Sequence, residues 1–187
     1  MKRSLIASGV LVLLSAPLFG DTPPAKPAPM GPPPPPADEL PLSVAMEWAQ
    51  AAIAACKEKG FNVTAAYMNR EYGLKLVVRA DGANAITVEF ARRKAYTVIK
   101  TDMSTAEFAA SVGFTPDKKL PPPVPGQPFA VPPGDNPDPN LIVLAGGQPI
   151  KVDGKITGAV AVSGAFGPGV DDACVEAGLA KVADKLK

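Results

Sequence analysis

Three cationic side chains, Arg92, Arg93 and Lys94, stand side by side near the middle of the chain. Adjacent cations of this kind can hold anionic groups of a ligand through charge-assisted hydrogen bonds. Glu89 precedes the two arginines by three and four residues, which is the spacing of ion pairs within a helix. We therefore expect the arginines to pair with Glu89, and Lys94, which lacks such a partner, to be the better anion contact.

The chain contains no histidine and only two cysteines, Cys56 and Cys174. The missing histidine excludes a Ser-His-Asp hydrolase, a Cys-His protease and any zinc or haem site ligated by histidine. The cysteines are too far apart for a CxxC motif. They could form a disulfide in an exported protein or remain two separate buried thiols, and the sequence leaves both open. No nucleophile–base pair is recognisable, so no catalytic residue is assigned.

Two further groups could be taken for a site. Asp171 and Asp172 could act as an acid–base pair, but adjacent acids at the start of a helix are usually caps favoured by the helix dipole. Gly146 and Gly147 resemble a phosphate loop only in composition, because no GxGxxG or GxxxxGK[ST] pattern leads into a helix. We expect these glycines to let two backbones approach closely at a strand end.

Apolar periodicity and turn residues predict the elements that position these groups. A capping box formed by Ser104 and Glu107 indicates a short helix, Gly60 a left-handed helix end, and Asp153-Gly154 a tight hairpin. The class is α+β with an antiparallel sheet. The predicted order is a helix from 42, strands 61–68 and 74–79, helices 86–100 and from 105, strands 141–144, 149–152 and 155–162, and a final helix towards 186.

The first 41 residues predict an exported protein. Lys2 and Arg3 precede a short apolar run, so residues 1–20 are interpreted as a signal peptide leading to the periplasm or to secretion. The alternative is an uncleaved anchor, which would make the membrane a partner. Residues 21–41 are rich in proline and predict an extended, disordered tether. A second proline-rich stretch, 115–140, predicts an irregular loop over the domain.

Composition narrows the range of partners. Nearly half of the residues are hydrophobic (47%) and the formal net charge is +1. The chain can therefore form a core, whereas nucleic acid is not expected as a partner, because phosphate binding needs a surplus of positive charge.

Three segments carry a resemblance to a known family. They are ARRKAYT at 91–97, AGGQPI followed by GAVAVSGA between 145 and 165, and Asp171-Asp172 with Cys174 and the AGL of 177–179. In this order and spacing they resemble the GlcG/HbpS-like haem-binding (haem-degrading) domain family. The resemblance covers residues 42–186.

The resemblance implies a profilin-like domain at 42–187 with a mostly antiparallel five-stranded sheet and flanking helices. It also implies a homo-oligomer that binds haem or a related tetrapyrrole as a small-molecule ligand, with sensing or degradation of that ligand as the functions found in such a family. Whether the chain is an enzyme stays open. The alternative is a non-catalytic structural or assembly module that keeps the family fold without haem.

Within the family the helix matching 91–97 lies near the haem, and a threonine is implicated at the iron. The resemblance therefore assigns Thr97 as the first candidate iron contact, with the adjacent Tyr96 as the ligand-type residue, although a helical tyrosine is more often part of the core. Lys94 and Arg93 are the candidates for the haem propionates. On this hypothesis, Lys94→Ala weakens haem binding and leaves thermal stability nearly unchanged.

Overall fold

The computed structural model describes residues 39–114, 126, 128–134 and 137–186. The predicted signal peptide (1–20) and the tether up to residue 38 lie outside these residues, as does part of the proline-rich segment 115–140.

Four α-helices and four β-strands make up the described part of the chain. Their class and their order along the chain agree with the prediction, except that no strand occurs at 141–144. The elements are α1 (Leu42–Glu58), β1 (Thr64–Asn69), β2 (Leu74–Arg79), α2 (Ile86–Thr101), α3 (Thr105–Ser111), β3 (Gly147–Val152), β4 (Lys155–Ser163), α4 (Val170–Lys181) and a 3₁₀ turn (Ala183–Lys185).

The strands form one antiparallel sheet in the order β2-β1-β4-β3. β1 is central and buried along its whole length, and its residue Ala66 is opposite Val77 of β2 on one side and Ala161 of β4 on the other. The edge strand β3 is joined to β4 by the predicted Asp153-Gly154 turn, whose two φ angles are +49° and +77°. Positive φ at both central residues is the requirement of a type I′ hairpin, so this prediction is confirmed.

Helices cover both faces of the sheet, because alternate residues of β1 and β4 are apolar on both sides. On one face, Tyr67 and Val162 pack with α1 and α4, around the fully buried Trp48. On the other face, Ala159 and Ala161 pack against Ala95 and its neighbours on α2. These alanines leave room for α2 to lie close to the sheet.

The predicted fifth strand, at 141–144, is wrong for the described residues. The segment is buried, but the Ile142 N–H donates to Thr97 Oγ1 and the Val143 N–H donates to the Ala130 carbonyl, each at 3.0 Å. These N–H groups are thus satisfied outside the sheet, and the side chains pack with Phe108 of α3. A short apolar run indicates burial but does not by itself specify strand pairing.

A disulfide joins Cys56 of α1 to Cys174 of α4, with Cα atoms 5.5 Å apart and a sequence separation of 118. α1 ends just beyond Cys56 in the predicted left-handed turn: Gly60 has φ +86°, and the Phe61 N–H donates to the Cys56 carbonyl at 3.0 Å. The bridge therefore clamps the two helices of one face together. Closing so long a loop stabilises the fold by about 4–5 kcal/mol on the chain-entropy model.

The domain includes two residues that the sequence placed in the tether. The Glu39 carboxylate lies 3.2 Å from the Lys75 ammonium, and the Leu40 N–H donates to the Tyr67 hydroxyl at 3.0 Å. Within the described part of the chain, no helix has both the length and the apolar character needed to cross a membrane.

Candidate functional site

A cavity of about 890 Å³ lies between the N-terminal half of α2, helix α3, and the two loops at 143–145 and 163–169. Five of the seven phenylalanines of the chain line it, and we call it the phenylalanine cavity. A volume of this size, with a mainly apolar lining, is typical of small-molecule sites. The five are Phe61, Phe90, Phe114, Phe129 and Phe166.

The rings are arranged in two tilted pairs. Phe90 and Phe129 have ring centroids 5.9 Å apart, and Phe61 and Phe166 have centroids 6.4 Å apart. Phe166 is 83% exposed and Phe129 is 38% exposed, so part of this aromatic surface faces water. Burying such surface against a ligand is favourable.

Sequence reasoning missed these phenylalanines, although a signal exists. Phe61 follows Gly60, Phe114 follows Gly113, and Phe166 precedes Gly167. All three glycines have positive φ. An aromatic residue beside such a glycine lies at a helix end or in a loop, where its ring can line a cavity as well as contact the core.

Lys94 belongs to the lining of the cavity and is almost completely buried, with 1% of its surface exposed. Its ammonium group donates to the Asp171 carboxylate at 2.7 Å and to the Val162 carbonyl at 2.8 Å. Burial lowers the pKa of Lys94, and the charge of Asp171 partly offsets this effect. The pair ties α2 to β4 and to α4. Lys94 thus has a partner that lies 77 residues away in sequence.

The two aspartates do not cap α4, because the residue at the cap position is Gly169. Instead, Asp171 accepts the N–H of Ala165 at 3.0 Å, and Asp172 accepts the N–H of Gly146 at 2.8 Å. Burial raises the pKa of the Asp172 carboxyl, while the Gly146 N–H opposes the rise. The carboxylates therefore hold the two loops that border the phenylalanine cavity.

Gly146 allows the backbone to approach this ion pair, as predicted for the Gly146-Gly147 dipeptide. A Cβ at Gly146 would lie 2.6 Å from the Asp171 Cβ, 2.7 Å from the Val162 carbonyl oxygen and 2.8 Å from Lys94 Nζ. Its φ of +112° also favours glycine. At Gly147 a Cβ would lie 2.8 Å from a methyl carbon of Thr105.

The expected arginine–glutamate pairing is confirmed for Arg92 and wrong for Arg93. Two nitrogens of Arg92 donate to the Glu89 carboxylate, at 2.7 and 2.8 Å. Arg93 is 1% exposed and donates to the carbonyl groups of Phe129 and Leu141, which lie in the segments covering α2. Both spacings permit pairing with Glu89, so the alternative partners, the two carbonyl groups of the covering segments, account for the different position of Arg93.

The proposed iron contacts both have partners within the protein. The Thr97 hydroxyl is fully buried and accepts the Ile142 N–H. The Tyr96 hydroxyl donates to Asp138 at 2.8 Å, and the Tyr96 ring lies 5.2 Å from that of Tyr72, centroid to centroid. Of the four sequence-based site residues, the structure places Lys94 on the cavity lining; Arg93, Tyr96 and Thr97 are not among the described residues that line it.

No group of three or more side chains that could hold a metal ion occurs among the described residues. The described lining of the phenylalanine cavity also contains no cysteine, histidine, methionine or tyrosine. These are the usual protein ligands of haem iron. What the cavity offers is aromatic surface and one buried ion pair.

Comparisons with solved structures support a common fold. HbpS is 27% identical over 82% of this chain and 96% of its own, with a TM-score of 0.61. A double mutant of Streptomyces reticuli HbpS is 28% identical over 84% and 97%, with a TM-score of 0.62. A complex of PduOC with haem is 18% identical over 76% and 94%, with a TM-score of 0.60, and at that identity it shows the fold alone.

In sequence, no curated protein matches the chain. Residues 40–180, however, match the family described as haem degrading protein HbpS-like. This match spans most of the chain and agrees with the two HbpS structures. The chain belongs to the HbpS-like family of haem-degrading proteins.

Proposed function

We propose that this chain is an exported protein that binds haem or a related tetrapyrrole in the phenylalanine cavity. The observation that carries the proposal is the concentration of five phenylalanines around one 890 Å³ cavity in a member of a haem-associated family. A flat aromatic macrocycle is the ligand class that makes best use of such a lining, because its faces can stack on phenyl rings in offset or edge-to-face geometry.

The cavity fits the ring of haem better than it fits the iron. Its aromatic lining matches the apolar macrocycle, whereas its described residues supply none of the usual axial ligands. We therefore derive no step through the iron, and haem degradation is not part of the proposal. The assignment of Thr97 or Tyr96 as an iron contact stays a prediction.

Lys94 is the one predicted site residue that enters the proposal. An ammonium group has three donors. Two of them are used by Asp171 and Val162, and no third partner occurs among the described residues. The remaining N–H can donate to a carboxylate of the ligand. Because Asp171 already neutralises the positive charge of Lys94, this contact contributes one hydrogen bond but no net electrostatic attraction for the carboxylate of the ligand.

Export is proposed from the predicted signal peptide and is supported by the disulfide. Bridges such as Cys56–Cys174 persist in oxidising compartments and are rare in the cytosol. Fractionation of the native host tests this: the chain should occur in the periplasm or medium with its N-terminal residues removed. A full-length chain in the membrane fraction would indicate an uncleaved anchor.

One observation favours the alternative, a structural module without ligand. Arg93, Tyr96 and Thr97, the residues of the family-like segment, all make hydrogen bonds inside the protein. On this alternative the segment serves packing alone. Native mass spectrometry would establish the homo-oligomer that the resemblance implies, but it does not separate the two functions.

A haem titration separates them. Hemin added to the full chain should give a saturable shift of the Soret band that does not occur in buffer. Phe90→Ala should weaken this binding, whereas Phe108→Ala, which removes a phenylalanine packed outside the cavity lining, should not weaken it beyond its effect on the folded fraction. A titration without a saturable shift would favour the structural module.

A further inference from the structure

We infer that the phenylalanine cavity recognises its ligand through the tetrapyrrole ring and its carboxylates and not through a metal at the ring centre, so that binding does not require a metal in that ring. This inference rests on the proposed function and specifies which part of the ligand is recognised. It predicts that a metal-free porphyrin is bound about as well as haem.

Aromatic surface is exposed to water at the cavity. Phe166 belongs to the loop at 163–169, is 83% exposed, and has its ring 6.4 Å from that of Phe61. Phe129 is also partly exposed and pairs with Phe90. A planar ligand that covers these rings removes apolar surface from water on both partners, and this gain does not depend on what is bound at the ring centre.

The loop that carries Phe166 is held close to the domain. Gly164 has φ +135°, and a Cβ there would lie 2.9 Å from the Asn62 carbonyl oxygen, next to Phe61. The next residue, Ala165, directly precedes Phe166, and its N–H donates to the Asp171 carboxylate at 3.0 Å. The chain that leads into Phe166 is thus constrained on its N-terminal side, which places the Phe166 backbone at the cavity before any ligand arrives.

Among the described residues, the side chains of the types that usually ligate haem iron lie outside the cavity lining. The chain has no histidine, and both cysteines are in the disulfide. The Tyr67 hydroxyl is bound to the Leu40 N–H, and that of Tyr96 to Asp138. None of the described residues lining the cavity is a tyrosine or a methionine. The sequence between 115 and 127, which follows the cavity residue Phe114, contains no ligand-type residue either.

The test compares two ligands and three variants. Hemin and protoporphyrin IX are titrated into the full chain, by Soret absorption for both and by porphyrin fluorescence for the second. We expect dissociation constants within about tenfold of each other. Phe166→Ala should weaken the binding of both ligands by about tenfold, because it removes one ring contact. Tyr96→Phe and Thr97→Ala should leave the dissociation constants of both ligands unchanged.

Phe166 is suited to this test because its exposed side chain contributes little to the core, and a thermal melt of the variant verifies the fold. If hemin binds and protoporphyrin IX does not, the inference is overturned while the proposed function stands. Loss of hemin binding in one of the two variants Tyr96→Phe and Thr97→Ala would then identify the iron contact. If neither ligand binds, the proposed function is overturned. If Phe166→Ala changes the binding of neither ligand, the phenylalanine cavity is not the binding site and the inference is overturned.

Discussion

The ammonium group of Lys94 lies 2.7 Å from the carboxylate of Asp171, in a position where Lys94 is almost completely removed from water. The sequence treats Lys94 as a free cation for a ligand, since no acidic residue stands at helical spacing from it. The structure makes it a structural residue as well, because the pair joins α2 to α4 and borders the phenylalanine cavity.

Lys94→Met should destabilise the protein by about 3 kcal/mol, because it leaves the Asp171 carboxylate without its cation. This differs from the sequence-based expectation of nearly unchanged stability. Urea denaturation provides the free energy of unfolding, and Lys100→Met, on the exposed surface of the same helix, is the matched control with a change below about 0.5 kcal/mol. Equal stability of the two variants would show that the pair contributes nothing.

Gly146→Ala should destabilise the protein by at least about 2 kcal/mol, because the new Cβ meets three atoms of the ion-pair region and φ is positive. Gly154→Ala is the control: Gly154 also has a positive φ, but a Cβ there meets nothing within 4 Å. The difference between the two losses in thermal or urea unfolding reports the contacts of the new Cβ together with the greater backbone strain at φ +112° than at φ +77°. Equal losses would mean that the loop at Gly146 moves aside without cost.

Reduction of the Cys56–Cys174 bridge should lower the free energy of unfolding by about 2–5 kcal/mol. The double variant Cys56→Ala/Cys174→Ala should show a comparable loss in the absence of reductant. Since the chain has no other cysteine, dithiothreitol should then have no further effect on the variant. A wild-type melting temperature that does not change on reduction would exclude a stabilising role for the bridge.

Tyr67 should make the fold sensitive to high pH. Burial raises its pKa from 10.0 to about 12, so the folded state keeps a proton that the unfolded state releases. Its contribution is fully present below pH 10 and is lost as the pH rises through the folded pKa. The loss should reach at most about 2–3 kcal/mol, at 1.36 kcal/mol per unit.

Two measurements test the role of Tyr67. The free energy of unfolding in urea should fall more steeply above pH 10 for the wild type than for Tyr67→Phe. In a tyrosine titration followed at 295 nm, the step at the highest pH should be absent from that variant. Tyr72→Phe, at an exposed tyrosine, should keep both features. Parallel pH profiles of the wild type and Tyr67→Phe would contradict the assignment.

Local features were predictable from the sequence because their partners are neighbours in the chain. The Ser104 and Glu107 capping box, the Asp153-Gly154 hairpin and the pairing of Arg92 with Glu89 each involve residues within a few positions of one another. Backbone geometry alone brings such groups together, so residue type and spacing suffice to identify them.

The segment at 141–144 and the residue Arg93 show where this reasoning ends. An apolar run predicts that the segment is buried, and a cation in a buried position predicts that it has a polar partner. Neither pattern identifies which group is the partner. Here the partners are the Thr97 hydroxyl and the carbonyl groups of Phe129 and Leu141, contributed by segments far away in sequence.

By itself the sequence determined the α+β class, the family-like segments and the absence of histidine, which excluded haem and zinc sites ligated by histidine. Only the tertiary structure decided that Lys94 is paired with Asp171, that the cysteines are joined, and that phenylalanines separated by more than 100 residues line one cavity. The physical reason is that these contacts depend on how helices and loops pack across the sheet. Such packing is set by the sum of many weak long-range interactions, which no spacing along the chain encodes.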